Sequence, residues 1–350
     1  MDRHCGTDDT PVDVNSTGLG YPTIMFKRFV AACEDESGIE WLKRFVAGRG
    51  EAERWYLGNG LAEPPTGDQC RAALRRYMPE LVPHYDRVCA LVGDDDLAHR
   101  ILSHYRPPPI FHGCSQVVWL GYDGPALVRN YDYPLDVVSG RFEMTAWSGH
   151  PVIATVQRPW GGCLDGINRE GLVASLTAGG GPAQGLGFSI ILLLRYVLET
   201  CCSVDEAIAA LGRMPVALSQ NVTLLDRNGD YATVFLGPDR EPAASRLRVC
   251  TNHQEAPRLP MSLALERSLE RQQFLLATLD DPTTTLERLT ESFLEPPLYS
   301  RRAGFATVYT AVYRPAEGRV DYIWPGKRWS QCFDCFIPGD YTHDFGELIS

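Results

Sequence analysis

A chain of 350 residues, 44% of them hydrophobic and 22% charged, has the make-up of an ordinary folded protein, long enough for one large domain or two smaller ones. Its 44 acidic and 33 basic side chains leave a formal charge of -11, which argues against a nucleic-acid binder, because phosphate contacts need Lys and Arg that dominate the local field. The longest greasy segment, residues 188–194, stops at Arg195, and the N-terminus has no apolar signal core, so a cytoplasmic protein that stays out of the membrane is expected.

In chain order, the first ~20 residues are polar and rich in Gly and Pro, which predicts a mobile start. Helical stripes follow. Ile39, Trp41, Leu42, Phe45 and Val46 form one; Ala73, Leu74, Tyr77 and Leu81, then Val88 and Leu91 beyond Pro83, form another, and residues 94–105 read as a short third helix. Pro107, Pro108 and Pro109 forbid more helix and impose an extended approach to Gly113 and Cys114. After Cys114 the period becomes alternating. Residues 115–120, 126–130, 142–147, 152–157 and 172–176 read as strands between Gly and Asp turns.

Two helices are expected next, residues 189–200 and 204–211, the second with Ser203 as N-cap and Glu206 completing a capping box. A hairpin over 221–225 and 231–236 turns at Asn228-Gly229, and a strand ends at Thr251. Helices over 262–277 and 285–294 lead to a last hairpin, 307–313 and 319–324. Strands, helices, strands, helices, strands is the order of an α+β, four-layer αββα sandwich preceded by a helical segment. The division expected is 1–113 as that helical segment and 114–350 as the core.

Eleven cysteines without a regular framework suit a reducing compartment better than a disulfide scaffold. Cys163, Cys201 and Cys202 read as packing residues. Cys332 and Cys335 have metal-like or redox-like spacing, but no second Cys/His pair stands at zinc-finger distance; no metal or cofactor is expected.

The pair Gly113-Cys114 is the sharpest chemical signal. A thiol attacks as thiolate and needs a base; cleavage before Cys114 frees an α-amine, whose pKa of roughly 7.7 to 8.0 makes it a competent base for its own side chain. Glycine at 113 suits a strained scissile bond. Four ordered stretches, residues 111–115, 128–133, 165–172 and 250–253, together resemble the cysteine N-terminal-nucleophile hydrolases. Among these the chain is most similar to the acyl-coenzyme A:6-aminopenicillanic acid acyltransferase branch, with choloylglycine hydrolases more distant. The resemblance implies the αββα fold; the Gly-Cys junction before a strand predicts self-cleavage between Gly113 and Cys114 and a thioester on Cys114, and the apolar faces of the helices in residues 1–113 need a partner, so the cleaved halves are expected to stay together as a heterodimer.

The expected roles follow. Asp132 holds the new ammonium and Arg129 favours the thiolate or grips a substrate carbonyl or carboxylate, with each as the other's counter-charge. Asn252 donates to the oxyanion, with a backbone N–H of the loop beginning at Thr177 and Ala178 as its partner and Asn221 as the fallback donor. Choloylglycine hydrolases have Asn where this chain has Thr177. The Gly179–Gly181 run lines the site and lacks the ending of a phosphate loop; His112, His253, Asn168 and Gly171 are architectural. Substrates would be a small amide or acyl donor, an acyl-coenzyme A among them, with an amine or water as acceptor. The alternatives are an uncleaved member that only binds acyl compounds or a partner, and a metal or redox protein centred on Cys332 and Cys335.

Overall fold

The computed structural model describes residues 24–34, 37–58, 64–108, 113–157, 161–254 and 262–349. The expected mobile start and His112 lie outside them. A strand comes first, β1 (Ile24–Cys33), then helices α1 (Ile39–Leu57), α2 (Gly67–Tyr77), α3 (Val82–Val92) and α4 (Asp96–Leu102). A run of strands follows: β2 (Gly113–Gly121), β3 (Gly124–Tyr133), β4 (Arg141–Thr145), β5 (Val152–Gln157), β6 (Gly162–Asn168) and β7 (Val173–Ala178). Helices α5 (Ile190–Thr200) and α6 (Val204–Arg213) precede β8 (Gln220–Leu225), β9 (Tyr231–Gly237), β10 (Arg240–Ser245) and β11 (Val249–Cys250). Last come α7 (Leu263–Asp280), α8 (Leu286–Ser292), β12 (Arg301–Arg302), β13 (Phe305–Arg314), β14 (Arg319–Trp324), β15 (Lys327–Cys332) and β16 (Gly339–Glu347).

These strands make two stacked sheets. The first runs β10-β9-β8-β7-β6-β5-β4-β1-β16 and the second β11-β2-β3-β13-β14-β15, with β12 beside β13. Between them lies the main core, in which Phe29 of β1, Phe142 of β4 and Trp324 of β14 meet ring to ring. Outside the first sheet, α5 covers β6 and β7 and α6 covers β8 to β10. Outside the second, Leu275 of α7 and Leu286 and Leu289 of α8 close a smaller apolar cluster with Val117, Val128 and Val312. The result is the four-layer αββα sandwich.

Helices α1 to α4 pack beside α5, where Tyr77 meets Phe188 and the Tyr196 hydroxyl donates to Glu80. The segment before residue 113 also contributes β1, which the sequence reading placed in no strand. Its alternation is real: Phe29 and Ala31 are buried while Phe26 and Arg28 are exposed, but Lys27 shares the inward face and the large apolar Phe26 the outward one, which masks the pattern. β16, read as no element either, is a polar strand held by its ladder with β1, from Ile24 opposite Glu347 to Ala31 opposite Gly339. At α6, Ser203 caps by accepting from the Glu206 N–H, whereas the Glu206 carboxylate accepts from Cys202 N–H at 2.7 Å instead of closing the box on Ser203. Cys332 and Cys335 are joined in a disulfide. Among the described residues no helix is long and apolar enough to cross a membrane.

Candidate active site

The pairing of β2 with β3 sets Gly113 opposite Asp132, Cys114 opposite Tyr131, and Gln116 opposite Arg129. Because side chains alternate along a strand, Cys114, Gln116, Arg129 and Tyr131 point between the sheets, while Ser115, Asn130 and Asp132 point toward α7 and α8. This parity decides the ion pairs. Arg129 and Asp132, three positions apart, leave opposite faces of β3. Arg129 therefore pairs with Asp165 of β6 at 2.7 Å, both side chains wholly buried. This corrects the expectation that Arg129 and Asp132 neutralise one another.

Asp165 is held further by the hydroxyls of Tyr309 at 2.6 Å, Thr155 at 3.0 Å and Tyr313. Arg129 in turn donates to Ser175 Oγ, to the Leu164 carbonyl, and to Cys114 Sγ at 3.4 Å. Burial alone would lower the Arg129 guanidinium; Asp165, with Tyr309, Cys114 and Tyr313 adding to it, more than offsets that and keeps the group above its ordinary value. Burial pushes the Cys114 thiol up to about 12, against the pull of Arg129 and Arg271. In the uncleaved chain the sulfur is a protonated thiol already facing a fixed cation.

On the other face of β3, Asp132 accepts from Thr307 Oγ1 at 2.7 Å and lies 3.7 Å from Arg271. Burial raises its carboxyl against the opposing effects of Arg271 and Thr307. Gly113 is absent from the left-handed backbone region, so strain is not its reason for being glycine. Close approach is: a Cβ there would sit 3.0 Å from Asp132 Cβ and 3.3 Å from its Oδ2.

Asn252 follows β11 and meets Cys114 directly, its Oδ1 accepting from the Cys114 backbone N–H at 2.9 Å. The same oxygen accepts from Arg271 Nη2 at 2.9 Å, while Arg271 Nη1 donates to the Cys114 carbonyl and Ser115 Oγ, each at 2.7 Å. The carbonyl end of Asn252, not its amide end, thus faces the nitrogen that cleavage would free. Thr177 lies at the end of β7 and donates to the Thr251 carbonyl at 2.8 Å. Asn221 Nδ2 donates to Thr177 Oγ1 and to the carbonyls of Thr251 and His253; it clamps the Asn252 loop and is spent as an oxyanion donor. Ala178 ends the same strand, and Gly180 lies so close to Asn252 that a Cβ would reach its carbonyl oxygen at 2.7 Å.

His253 bonds Ser268 and Gln272, and Asn168 donates to the carbonyls of Leu198 and Cys201, so both are architectural. Sequence reasoning missed Arg271, Asp165 and Thr307 as site residues. Asp165 carried a faint signal, a single carboxylate in the short run Gly162–Asn168 that the sequence reading gave to no strand; in the structure that run is a wholly buried strand, where a carboxylate must find a partner. Arg271 carried none, since a helix rich in Glu and Arg does not announce which arginine turns inward. The loop leaving Asp132 also lines a cavity of about 340 Å³, walled by Trp41, Phe45 and Trp147; Cys114, Asn252 and Arg271 are not part of its lining.

No curated protein matches the chain. Solved structures similar to it include a mutant conjugated bile acid hydrolase from Clostridium perfringens, 12% identical over 68% of this chain and 99% of that one, with a TM-score of 0.47. Penicillin V acylase from Agrobacterium tumefaciens is 15% identical over 63% and 86%, with a TM-score of 0.44. The Caenorhabditis elegans N-acylethanolamine-hydrolyzing acid amidase ortholog is 15% identical over 58% and 93%, also at 0.44. The family model for acyl-coenzyme A:6-aminopenicillanic acid acyl-transferase matches residues 119–329, starting just beyond Cys114. With more than half its length so matched, the chain belongs to the acyl-coenzyme A:6-aminopenicillanic acid acyl-transferase family.

Proposed function

We propose that this protein is a self-activating amide hydrolase or N-acyltransferase whose nucleophile is Cys114. The observation that carries this reading is the convergence on one residue: Asn252 Oδ1 on the Cys114 nitrogen, Arg129 on its sulfur and Arg271 on its carbonyl. In activation, the Cys114 thiol attacks the Gly113 carbonyl and the acyl group shifts from nitrogen to sulfur. Water then cleaves the thioester, leaving Gly113 as a carboxylate and Cys114 as a free amine. Asp132, which lies against Gly113, is positioned to carry the proton that the departing nitrogen must gain.

In turnover, the new amine takes the thiol proton, and the thiolate, favoured by Arg129, attacks the carbonyl of a small acylated amide or an acyl donor such as an acyl-coenzyme A. Asn252 Nδ2 and a backbone N–H at Thr177 or Ala178 serve the oxyanion. The Cys114 amine protonates the leaving group, an amine from an amide or a thiolate from an acyl-coenzyme A, and the thioester is resolved by water or by an amine acceptor. Binding of acyl compounds or a partner without chemistry would use neither Arg129 on the sulfur nor Asn252 on the nitrogen, so the site favours catalysis. The halves 1–113 and 114–350 remain as a heterodimer.

The test is single-turnover labelling with an activated short-chain acyl donor, followed by peptide mapping. An acyl adduct on Cys114, absent from Cys114→Ala, is expected; labelling that persists in the variant would move the nucleophile elsewhere.

A further inference from the structure

Away from Cys114, three connecting segments bring a second thiol, an imidazole and a carboxylate together. Cys202 is exposed at the junction of α5 and α6. Its Sγ lies 3.2 Å from Nε2 of His150, whose Nδ1 lies 3.8 Å from Glu170 Oε1. A nucleophile within hydrogen-bond reach of a base, with a third group facing the base's far side, is the arrangement that lets a thiol lose its proton during attack.

The segments are pinned to one another. Asn168 Nδ2 donates to the carbonyls of Leu198 at 2.9 Å and Cys201 at 2.7 Å. The backbone N–H of His150 donates to the Glu199 carbonyl and that of Arg169 to the Pro151 carbonyl, each at 2.9 Å. A Cβ on Gly149 would come within 2.0 Å of the Glu199 oxygen, so only glycine lets the turn carrying His150 lie this close to the end of α5.

We propose that Cys202 is a site of reversible S-thiolation, in which His150 takes the thiol proton as Sγ attacks a neutral or cationic low-molecular-weight disulfide. The disulfide's S–S bond breaks and a Cys202–S–S–R bond forms. The departing thiolate receives the proton from His150, so one thiol and one disulfide enter and one of each leaves, without net oxidation.

Two observations choose this chemistry over others. The Cys202 N–H is committed to Glu206 Oε2 and is not offered to the oxyanion that attack on an acyl carbonyl would build, whereas attack at sulfur needs no such donor. Partial burial first, and then Glu206 and Glu170 against Arg227, raise the pKa of the thiol, so the resting group is a thiol that depends on a base, and the two carboxylates beside it repel anionic disulfides.

The test treats the full chain with cystamine, a dication, or with dithiodipropionate, a dianion, and follows Cys202 by peptide mapping. Cys33, the other exposed thiol among the described residues, serves as reference in the same sample. Cys202 should react before Cys33 and faster with cystamine. His150→Gln should slow Cys202 at least about tenfold and leave Cys33 unchanged; the effect is smaller than the 10² to 10⁴ of enclosed general bases because an exposed thiol also ionises unaided. Glu170→Gln should narrow the preference for cystamine. Equal rates at Cys202 and Cys33, or an unchanged Cys202 rate in His150→Gln, would overturn the proposal.

Discussion

The opposite parity of Arg129 and Asp132 on β3 separates two carboxylates by job. Asp165→Asn leaves Arg129 buried without its counter-charge and should cost about 3 to 5 kcal/mol, read as a large fall in the melting temperature. Asp132→Asn keeps an acceptor for Thr307 and should melt near wild type while maturing slowly; the reverse pattern would mean that the roles are exchanged. Asn252→Ala should lower kcat about 100- to 1000-fold with a smaller change in KM, measured on processed enzyme.

Cys163 gives a pH test away from the chemistry. Burial raises its thiol from 9.0 to about 12, so the folded chain holds that proton more tightly than the unfolded one. Its contribution is whole below pH 9 and is lost as the pH rises toward 12, at up to about 1.4 kcal/mol per pH unit. Urea unfolding across that window should show a shallower decline in Cys163→Ala than in wild type. Equal declines would refute the assignment. That Cys114, Asp132 and Asn252 lie together was legible from ordered motifs; the partner of Arg129 was not, because strand parity over residues 126–130 excludes Asp132, three steps on, but does not name Asp165 on another strand.

β1 is the element that changes the picture of residues 1–113. It lies inside the first sheet, parallel to β4 on one side and antiparallel to β16 on the other, so β16 joins the sheet only through it. Removing the N-terminal piece after cleavage would tear out an interior strand and strip Phe29 from Phe142 and Trp324. The two halves should therefore co-elute under native conditions and separate only in denaturant, and Phe29→Ala should cost about 3 to 5 kcal/mol. Recovery of a folded 114–350 fragment by itself would contradict this. Apart from β6, which the sequence reading gave to no strand, the runs from β2 to β9 were legible because short apolar stretches repeat there between Gly or Asp turns. β1 and β16 were not, because each is specified by the other across the whole length of the chain, and local propensity in a segment such as Gly339–Glu347 points away from a strand.

Across the molecule, the two sheets hold the Gly113-Cys114 junction between two separately fixed cations. Arg129 is anchored in the inter-sheet core by Asp165, and Arg271 reaches in from α7 to the Cys114 carbonyl and Asn252. The layer order was readable from the alternation of strand and helix runs, whereas the inward reach of Arg271 follows from how α7 lies on β2 and β11, which no local pattern encodes. A nucleophile at Cys114 with its own amine as base requires that this arrangement cut its own chain. Intact-mass spectrometry of freshly purified protein, denatured after timed incubation, measures that directly. Conversion to two species corresponding to 1–113 and 114–350, abolished in Cys114→Ala and slowed in Cys114→Ser, is the expected result; a chain that stays full length throughout, or one cut equally in Cys114→Ala, would contradict it.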